Sequence, residues 1–143
     1  MGEDRYVDTK VFEGMSGGIF VDIGAHDGKT FSNTYFFEKF RQWNGICIEP
    51  LPTAFAKLKK NRSAKAIRAV ISKTRGQEEF IEVSGTDNAD MFSGLARSFD
   101  ARQLDTVKKE VKKRNGVLRR TTVQSYPLAE IFRKHNITHV DYC

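Results

Sequence analysis

The sequence predicts an α/β fold built on a mostly parallel sheet with helices on both faces. Short apolar runs bounded by glycine or proline alternate with segments of helical spacing, in the order β-α-β-α-β, then an excursion, then α and β. The 143 residues are 39% hydrophobic and 29% charged, which suits a single globular domain. The longest apolar runs fall far short of the ~20 residues that cross a bilayer, so a cytoplasmic protein without a membrane span is expected.

Glycine and proline mark the ends of the elements in the first half of the chain. Ser32 is the expected N-cap of the first helix. Pro50 and Pro52 end the second strand and open the second helix, which turns Phe55 and Leu58 inward. The predicted elements are strands 18–23, 45–49 and 66–71, and helices 30–43 and 53–60.

The second half predicts an excursion from this alternation. Leu104, Val107 and Val111 share one face of a helix that Gly116 would end. Residues rich in β-formers on either side of that helix predict an added antiparallel pair. The remaining predicted elements are strands 79–83, 121–124 and 137–142, and helix 128–135.

The aromatic cluster of the first helix predicts core and sheet packing. Its members are Tyr35, Phe36, Phe37, Phe40 and Trp43. Cys47 lies within a predicted strand and is expected to be buried and unreactive. Two cysteines do not make a disulfide framework, and no spacing of cysteine and histidine resembles a zinc site, so no metal is expected.

The positive charge is concentrated in residues 97–120. This segment holds nine basic and three acidic side chains, an excess equal to the net charge of +6 on the whole chain. One interpretation is a solvated amphipathic helix. The other is a non-catalytic binding module that holds an anionic partner, either a phosphorylated glycan or RNA. Apart from Phe99 the segment lacks the aromatic side chains of a nucleic-acid platform, so nucleic acid is not the expected partner.

A glycine-bounded turn follows the first predicted strand, where open α/β sheets bind their ligands. A dinucleotide fingerprint beginning at Gly24 would need glycine at positions occupied by His26 and Lys29, which argues against NAD. Asp22 would repel a diphosphate and attract an ammonium group. A nucleoside that carries an amino acid, such as S-adenosylmethionine, fits this pattern.

Glu49 ends the second predicted strand, 21 residues after Gly28. An acidic side chain at this place can accept hydrogen bonds from both hydroxyls of a ribose. The alternative is that Gly24 and Gly28 only form a tight turn, and that Glu49 caps a neighbouring helix.

Several motifs resemble the FkbM-type methyltransferase family. They are FVDIGAHDG (20–28), SNT (32–34) with Glu38, WNGICIEP (43–50), and Phe55 and Leu58 followed by Asn61-Arg62. The resemblance is dense from about residue 2 to 72, thin until about 120, and resumes over 122–142. It implies a class I, Rossmann-like fold, S-adenosylmethionine as methyl donor, and methylation of a hydroxyl of a sugar, glycolipid or natural product.

The resemblance also assigns cofactor contacts by position. The loop residues would surround the methionine part, Glu49 would hold the ribose, and Ala69 and Val70 would lie beside the adenine. Asn33 would shape the loop floor. The full set is Asp22, Gly24, Ala25, His26, Asp27, Gly28, Asn33, Glu49, Pro50, Ala69 and Val70.

In the family, the strand that contains the equivalent of Asp141 continues into an acidic Asp-x-Glu-Gly motif, and three further strands follow. The expectation is therefore that residues 1–143 form one methyltransferase domain as its cofactor-binding part, with the C-terminal strands missing and an open edge that favours self-association. No catalytic residue is assigned: His26 suits either a general base or a loop histidine, and Asp27 suits a turn. The acceptor is expected to be a small molecule or glycan.

Overall fold

A computed structural model describes residues 3–85 and 92–143, so Met1 and Gly2, where the family resemblance begins, lie outside the described residues. The chain divides into two compact units. The first unit comprises Met1–Thr74 and Tyr126–Cys143, and the second unit comprises Arg75–Ser125. Within the described ranges, no helix combines the length and the apolar character that a bilayer span requires.

The first unit contains the parallel sheet. Strands β1, β2 and β3 are paired in that order, with Val21 opposite Ile46 and Ile46 opposite Lys65, and both pairings are parallel. The predicted α/β class with a mostly parallel sheet is therefore confirmed. The elements of this unit are α1 (Glu3–Tyr6), β1 (Ile19–Ile23), α2 (Asn33–Phe40), β2 (Asn44–Ile48), α3 (Pro52–Asn61), β3 (Lys65–Ile67), β4 (Val70–Ile71) and α5 (Leu128–Lys134).

Helices cover both faces of this sheet. Phe20 packs with Phe37 of α2 and Leu58 of α3 in one buried cluster. The next residue, Val21, packs with Ile131 of α5 in another cluster. Successive strand residues point to opposite faces, so these two clusters occupy the two sides of the sheet.

The N-terminal segment is built into the core of the first unit. After α1, a π-helical turn over Val7–Val11 carries Asp8, whose buried carboxylate accepts two hydrogen bonds of 2.6 Å from Nε and Nη2 of Arg41. These hydrogen bonds lower the pKa of Asp8. The ring of Phe12 lies 4.7 Å from that of Trp43, whose indole N–H donates to the carbonyl of Met15.

The helix predicted over 30–43 is shorter in the structure. Ser32 caps α2 as expected, because its hydroxyl accepts a hydrogen bond from the Tyr35 N–H. The helix ends at Phe40, and Gln42 adopts a left-handed φ of +57°, which a continuing helix does not allow. Phe37 and Trp43 are buried, but the prediction that Phe40 lies in the core is wrong: it is 69% exposed and stacks on Phe36 at the surface.

The predicted third strand, 66–71, is two short strands. β3 ends at Ile67, which is paired with Ile48, the last residue of β2; the Glu49 N–H that follows still donates to the Ile67 carbonyl, at 3.0 Å. The chain then places Ala69 in the core and resumes extended structure at Val70.

The predicted strand 137–142 is also absent as a regular element. Asp141 places its carboxylate 2.8 Å from the Ile19 N–H, so a side chain takes the donor that a paired strand would use. Tyr142 alone makes a parallel bridge, to Phe20, and its carbonyl accepts the Val21 N–H.

The second unit contains the predicted antiparallel pair. β5 (Gly76–Ser84) pairs with β7 (Val117–Tyr126) from Gly76 opposite Ser125 to Ser84 opposite Val117, and with the short β6 (Gly94–Leu95) on its other edge. Both long strands extend beyond their predicted bounds.

Helix α4 (Ala101–Lys113) packs through Val107 and Val111 against Ile81 and Val83 of β5. It begins with a capping box, in which Asp100 and Gln103 each bond the other's main-chain N–H. At its end, Asn115 adopts the left-handed φ of +53°, and the Gly116 N–H donates to the carbonyl of Val111.

Candidate functional site

The glycine loop, residues 24–28, connects β1 to the segment that leads into α2. The N–H groups of Gly24 and Ala25 both donate to the carbonyl of Ile48, at 2.9 and 3.1 Å. Gly24 and Gly28 each have φ of +77°, and His26 between them has φ of +50°. The loop therefore turns through residues in the left-handed conformation. Its first two residues are hydrogen-bonded to Ile48, the last residue of β2.

Glu49 connects the glycine loop with the start of α3. One carboxylate oxygen accepts the His26 N–H at 2.8 Å and the other accepts the Leu51 N–H at 2.9 Å. The side chain of Glu49 is buried. Pro50, which separates Glu49 from Leu51 in the sequence, is half-buried. The structure thus brings the carboxylate at the end of β2 to the loop after β1, as the sequence spacing predicts.

The two glycines that bound the loop meet different surroundings. Apart from Gly24 and its two chain neighbours, no described residue has an atom within 4 Å of the position that a Cβ of Gly24 would occupy. A Cβ on Gly28 would lie 2.5 Å from Cδ1 of Leu58 and 2.6 Å from Cγ of Arg62. Gly24 therefore exposes main chain to open space, whereas Gly28 is packed against α3.

Asp27 closes the turn at the end of the loop. Its carboxylate accepts the Lys29 N–H at 2.9 Å, the Thr30 N–H at 2.7 Å and the Thr30 hydroxyl at 2.7 Å. Burial alone raises the pKa of Asp27, but the hydrogen bonds from Lys29 and Thr30 outweigh it and hold the pKa below its ordinary value. Nδ1 of His26 lies 3.6 Å from this carboxylate.

A buried arginine lies beneath the loop. The guanidinium of Arg62 donates to the carbonyl of Gly28 at 3.0 Å and to the Glu38 carboxylate at 2.5 Å, and its side chain is fully buried. It also donates to the hydroxyls of Ser32 and Thr34, at 3.1 and 3.0 Å. We call this set, with Asp22, the Arg62 network.

Asp22 belongs to this network. Its carboxylate accepts the hydroxyls of Ser32 at 2.9 Å and Thr34 at 2.5 Å, and it lies 3.6 Å from Nη1 of Arg62. Asp22, the last but one residue of β1, is therefore held by hydroxyls and a cation of the chain itself.

The other predicted cofactor contacts are Asn33, Ala69 and Val70. The amide of Asn33 donates to the Glu3 carboxylate and to the Tyr142 hydroxyl, both at 3.4 Å. Ala69 and Val70 are buried, at 1% and 7% exposure. A cavity of about 210 Å³ opens beside the two residues that precede them, and neither Glu49 nor the glycine loop lines it.

The sequence matches the family model described as Methyltransferase FkbM domain over residues 22–143. The chain belongs to this family. The resemblance in the motifs is therefore confirmed, and the FkbM domain is that of a methyltransferase. The match begins at Asp22 and spans both compact units. Comparisons with curated proteins and with solved structures give no match.

Two residues of the FkbM domain that hold the glycine loop were quoted in the motifs but given no role. Asn61, the last residue of α3, donates from its amide to the carbonyl of Asp27 at 2.8 Å, and Arg62 follows it. The signal in the sequence was a charged residue two positions after the predicted helix 53–60, which by itself predicts a solvated side chain rather than a buried one.

The basic segment of the FkbM domain is partly neutralised within the chain. Among the described residues, four of its nine cations pair with carboxylates: Arg97 with Glu78, Lys109 with Asp105, Arg114 with Glu110 and Arg120 with Glu79. The apolar face of α4 is buried against β5. These observations favour the amphipathic-helix interpretation over an anion-binding surface.

Proposed function

We propose that this FkbM domain binds S-adenosylmethionine at the glycine loop and Glu49, and that it methylates a hydroxyl oxygen of a sugar, glycolipid or natural product. The contact that carries the proposal is the 2.8 Å hydrogen bond from the His26 N–H to Glu49. It joins a strand-end carboxylate to a glycine turn in a chain that belongs to a methyltransferase family. We further propose a Rossmann-like class I fold and one methyltransferase domain over both units, since the family match spans them.

The residues present fit this cofactor. The open space at Gly24 lets a ligand approach the main chain without meeting a side chain. The hydrogen bonds from the His26 and Leu51 N–H groups fix the orientation of both oxygens of Glu49, the carboxylate that we propose holds the ribose. The carboxylates of Asp27 and Glu49 at the loop disfavour a diphosphate and favour a ligand that carries positive charge.

In the proposed reaction the chain acts by binding and orientation. When bound, S-adenosylmethionine supplies the methyl group from a sulfonium. The glycine loop and Glu49 would hold the methionine part and the ribose in fixed positions, and fixed geometry is the main contribution that a protein makes to such a displacement. His26 lies on the loop with a partly exposed imidazole.

The test is isothermal titration calorimetry with S-adenosylmethionine and S-adenosylhomocysteine. We expect micromolar binding by the wild-type protein and a loss of at least about tenfold in affinity for Glu49→Gln, which corresponds to about 1.4 kcal/mol. The matched control is Glu79→Gln, the same chemical change at an exposed ion pair of the second unit, which should bind like wild type.

Because Glu49 also holds two main-chain N–H groups, the thermal midpoint of each variant is measured alongside binding. A folded wild-type protein that gives no heat with either ligand would refute the proposal. Methyl transfer from a radiolabelled donor to a panel of sugar, glycolipid and natural-product hydroxyls then tests the acceptor class, and labelling of other acceptor atoms alone would overturn the assignment to oxygen.

A further inference from the structure

We infer that Arg62 is a positioning residue, which holds the glycine loop in the conformation that receives the amino-acid end of the cofactor. This inference rests on the proposed function. Arg62 is not one of the residues expected to contact the cofactor. It acts on the loop through the hydrogen bond that its buried guanidinium donates to the carbonyl of Gly28.

Five hydrogen bonds hold the loop along its length. The N–H groups of Gly24 and Ala25 bond β2, and the N–H of His26 bonds Glu49. At the other end, two successive residues at the end of α3 donate to two successive carbonyls of the loop. Asn61 donates to the carbonyl of Asp27, and Arg62 donates to the carbonyl of Gly28. The last half of the loop therefore takes its position from α3.

Arg62 also fills the space under the loop. The position that a Cβ of Gly28 would take lies 2.6 Å from Cγ of Arg62, so the arginine stem touches the loop main chain itself. Its guanidinium lies 5.1 Å from the ring centre of Phe20 in β1. The side chain thus spans from the sheet to the loop, and a shorter or displaced side chain would leave the Gly28 carbonyl without its support.

The charge of Arg62 links the loop to Asp22. Two carboxylates, Glu38 at 2.5 Å and Asp22 at 3.6 Å, face one buried guanidinium. Removing one partner of a buried ion pair leaves an uncompensated charge, which is strongly unfavourable. Without Arg62, the carboxylates would separate or take up protons, and Ser32 and Thr34, which bond both Asp22 and Arg62, would move with them.

Lysine cannot reproduce these contacts. Arg62 uses all three guanidinium nitrogens: Nε bonds Glu38, Nη1 bonds Gly28 and Ser32, and Nη2 bonds Thr34. A lysine ammonium is a single point on a flexible stem, so it cannot donate in those three directions at once. Arg62→Lys therefore keeps the charge and removes the geometry.

Arg41 provides a matched control within the same unit. It forms a two-pronged ion pair with the buried Asp8 through 2.6 Å hydrogen bonds, so Arg41→Lys also disturbs an arginine–carboxylate pair. Its described contacts are with Asp8, the Phe36 ring and the main chain of the first unit, none of them with the glycine loop.

The experiment compares two ligands on each variant. S-adenosylhomocysteine carries the amino-acid end, whereas 5′-methylthioadenosine lacks it. We expect Arg62→Lys to weaken binding of S-adenosylhomocysteine by roughly tenfold or more, the effect of losing hydrogen bonds that involve a charged group, and to change binding of methylthioadenosine by less than about threefold. Arg41→Lys should change neither affinity by more than about threefold.

A merely structural role would weaken both ligands alike, or would give the same result for Arg41→Lys, and either outcome overturns the inference. Glu38→Gln provides a second variant should Arg62→Lys fail to fold: it loosens the guanidinium without removing it, and it should show the same preference between ligands. If Glu38→Gln bound each of the two ligands with the same affinity as wild type does, the inference would also be overturned. A wild-type protein that binds neither ligand refutes the proposed function itself, a distinct result.

Discussion

Substitution of the second loop glycine should destabilise the first unit more than substitution of the first. A non-glycine residue at a left-handed φ costs about 1–2 kcal/mol, and both Gly24 and Gly28 have φ of +77°. At Gly28, the added methyl group would also lie 2.5 Å from Leu58 and 2.6 Å from Arg62, both buried. Overpacking of this kind costs a further ~1–3 kcal/mol.

We therefore expect Gly28→Ala to lower the free energy of unfolding by about 2–5 kcal/mol and Gly24→Ala by about 1–2 kcal/mol. Urea unfolding followed by tryptophan fluorescence measures this difference in the right unit, because Trp43 is the only tryptophan of the chain and is buried in the first unit. Linear extrapolation of both curves gives the two free energies.

Gly24→Ala separates the two contributions, because it carries the backbone cost without a described neighbour within 4 Å. The reasoning would be refuted by equal destabilisation of the two variants, since the contacts with Leu58 and Arg62 would then cost nothing. A Gly24→Ala variant as stable as wild type would show that the left-handed conformation is not maintained at that position.

Two further predictions concern charge and capping. The hydrogen bonds that lower the pKa of Asp8, Asp27 and Glu38 favour the ionised forms in the folded protein, so this stability is present above the ordinary carboxyl pKa of about 4 and is lost as pH falls through the lowered values. Unfolding curves of Glu38→Gln should be less steeply pH-dependent below about pH 4 than those of wild type, and identical slopes would contradict this. Asp100→Ala should cost about 1 kcal/mol by removing the cap of α4, measured by thermal unfolding in far-ultraviolet circular dichroism, and an unchanged midpoint would contradict the capping assignment.

Local sequence predicted β1, β2 and the turn between β1 and α2 because apolar runs there are bounded by glycine and proline. It did not predict where β3 ends, since that depends on its pairing with β2, whose last residue, Ile48, is paired with Ile67. The Arg62 network could not be predicted from local sequence either, because its members are distant along the chain: Glu38 and Gly28 lie 24 and 34 residues from Arg62. Helical periodicity also placed Phe40 in the core, although α2 ends there.

The contacts of the N-terminal segment bear on how fragments of this protein are designed. The family match begins at Asp22, but β1 begins at Ile19, and Asp8 and Phe12 hold Arg41 and Trp43. A recombinant protein cut at the family boundary would lose three of the five residues of β1 and would expose a large aromatic surface. Expression of a shortened chain should therefore start no later than α1, upstream of the boundary that sequence similarity alone would suggest.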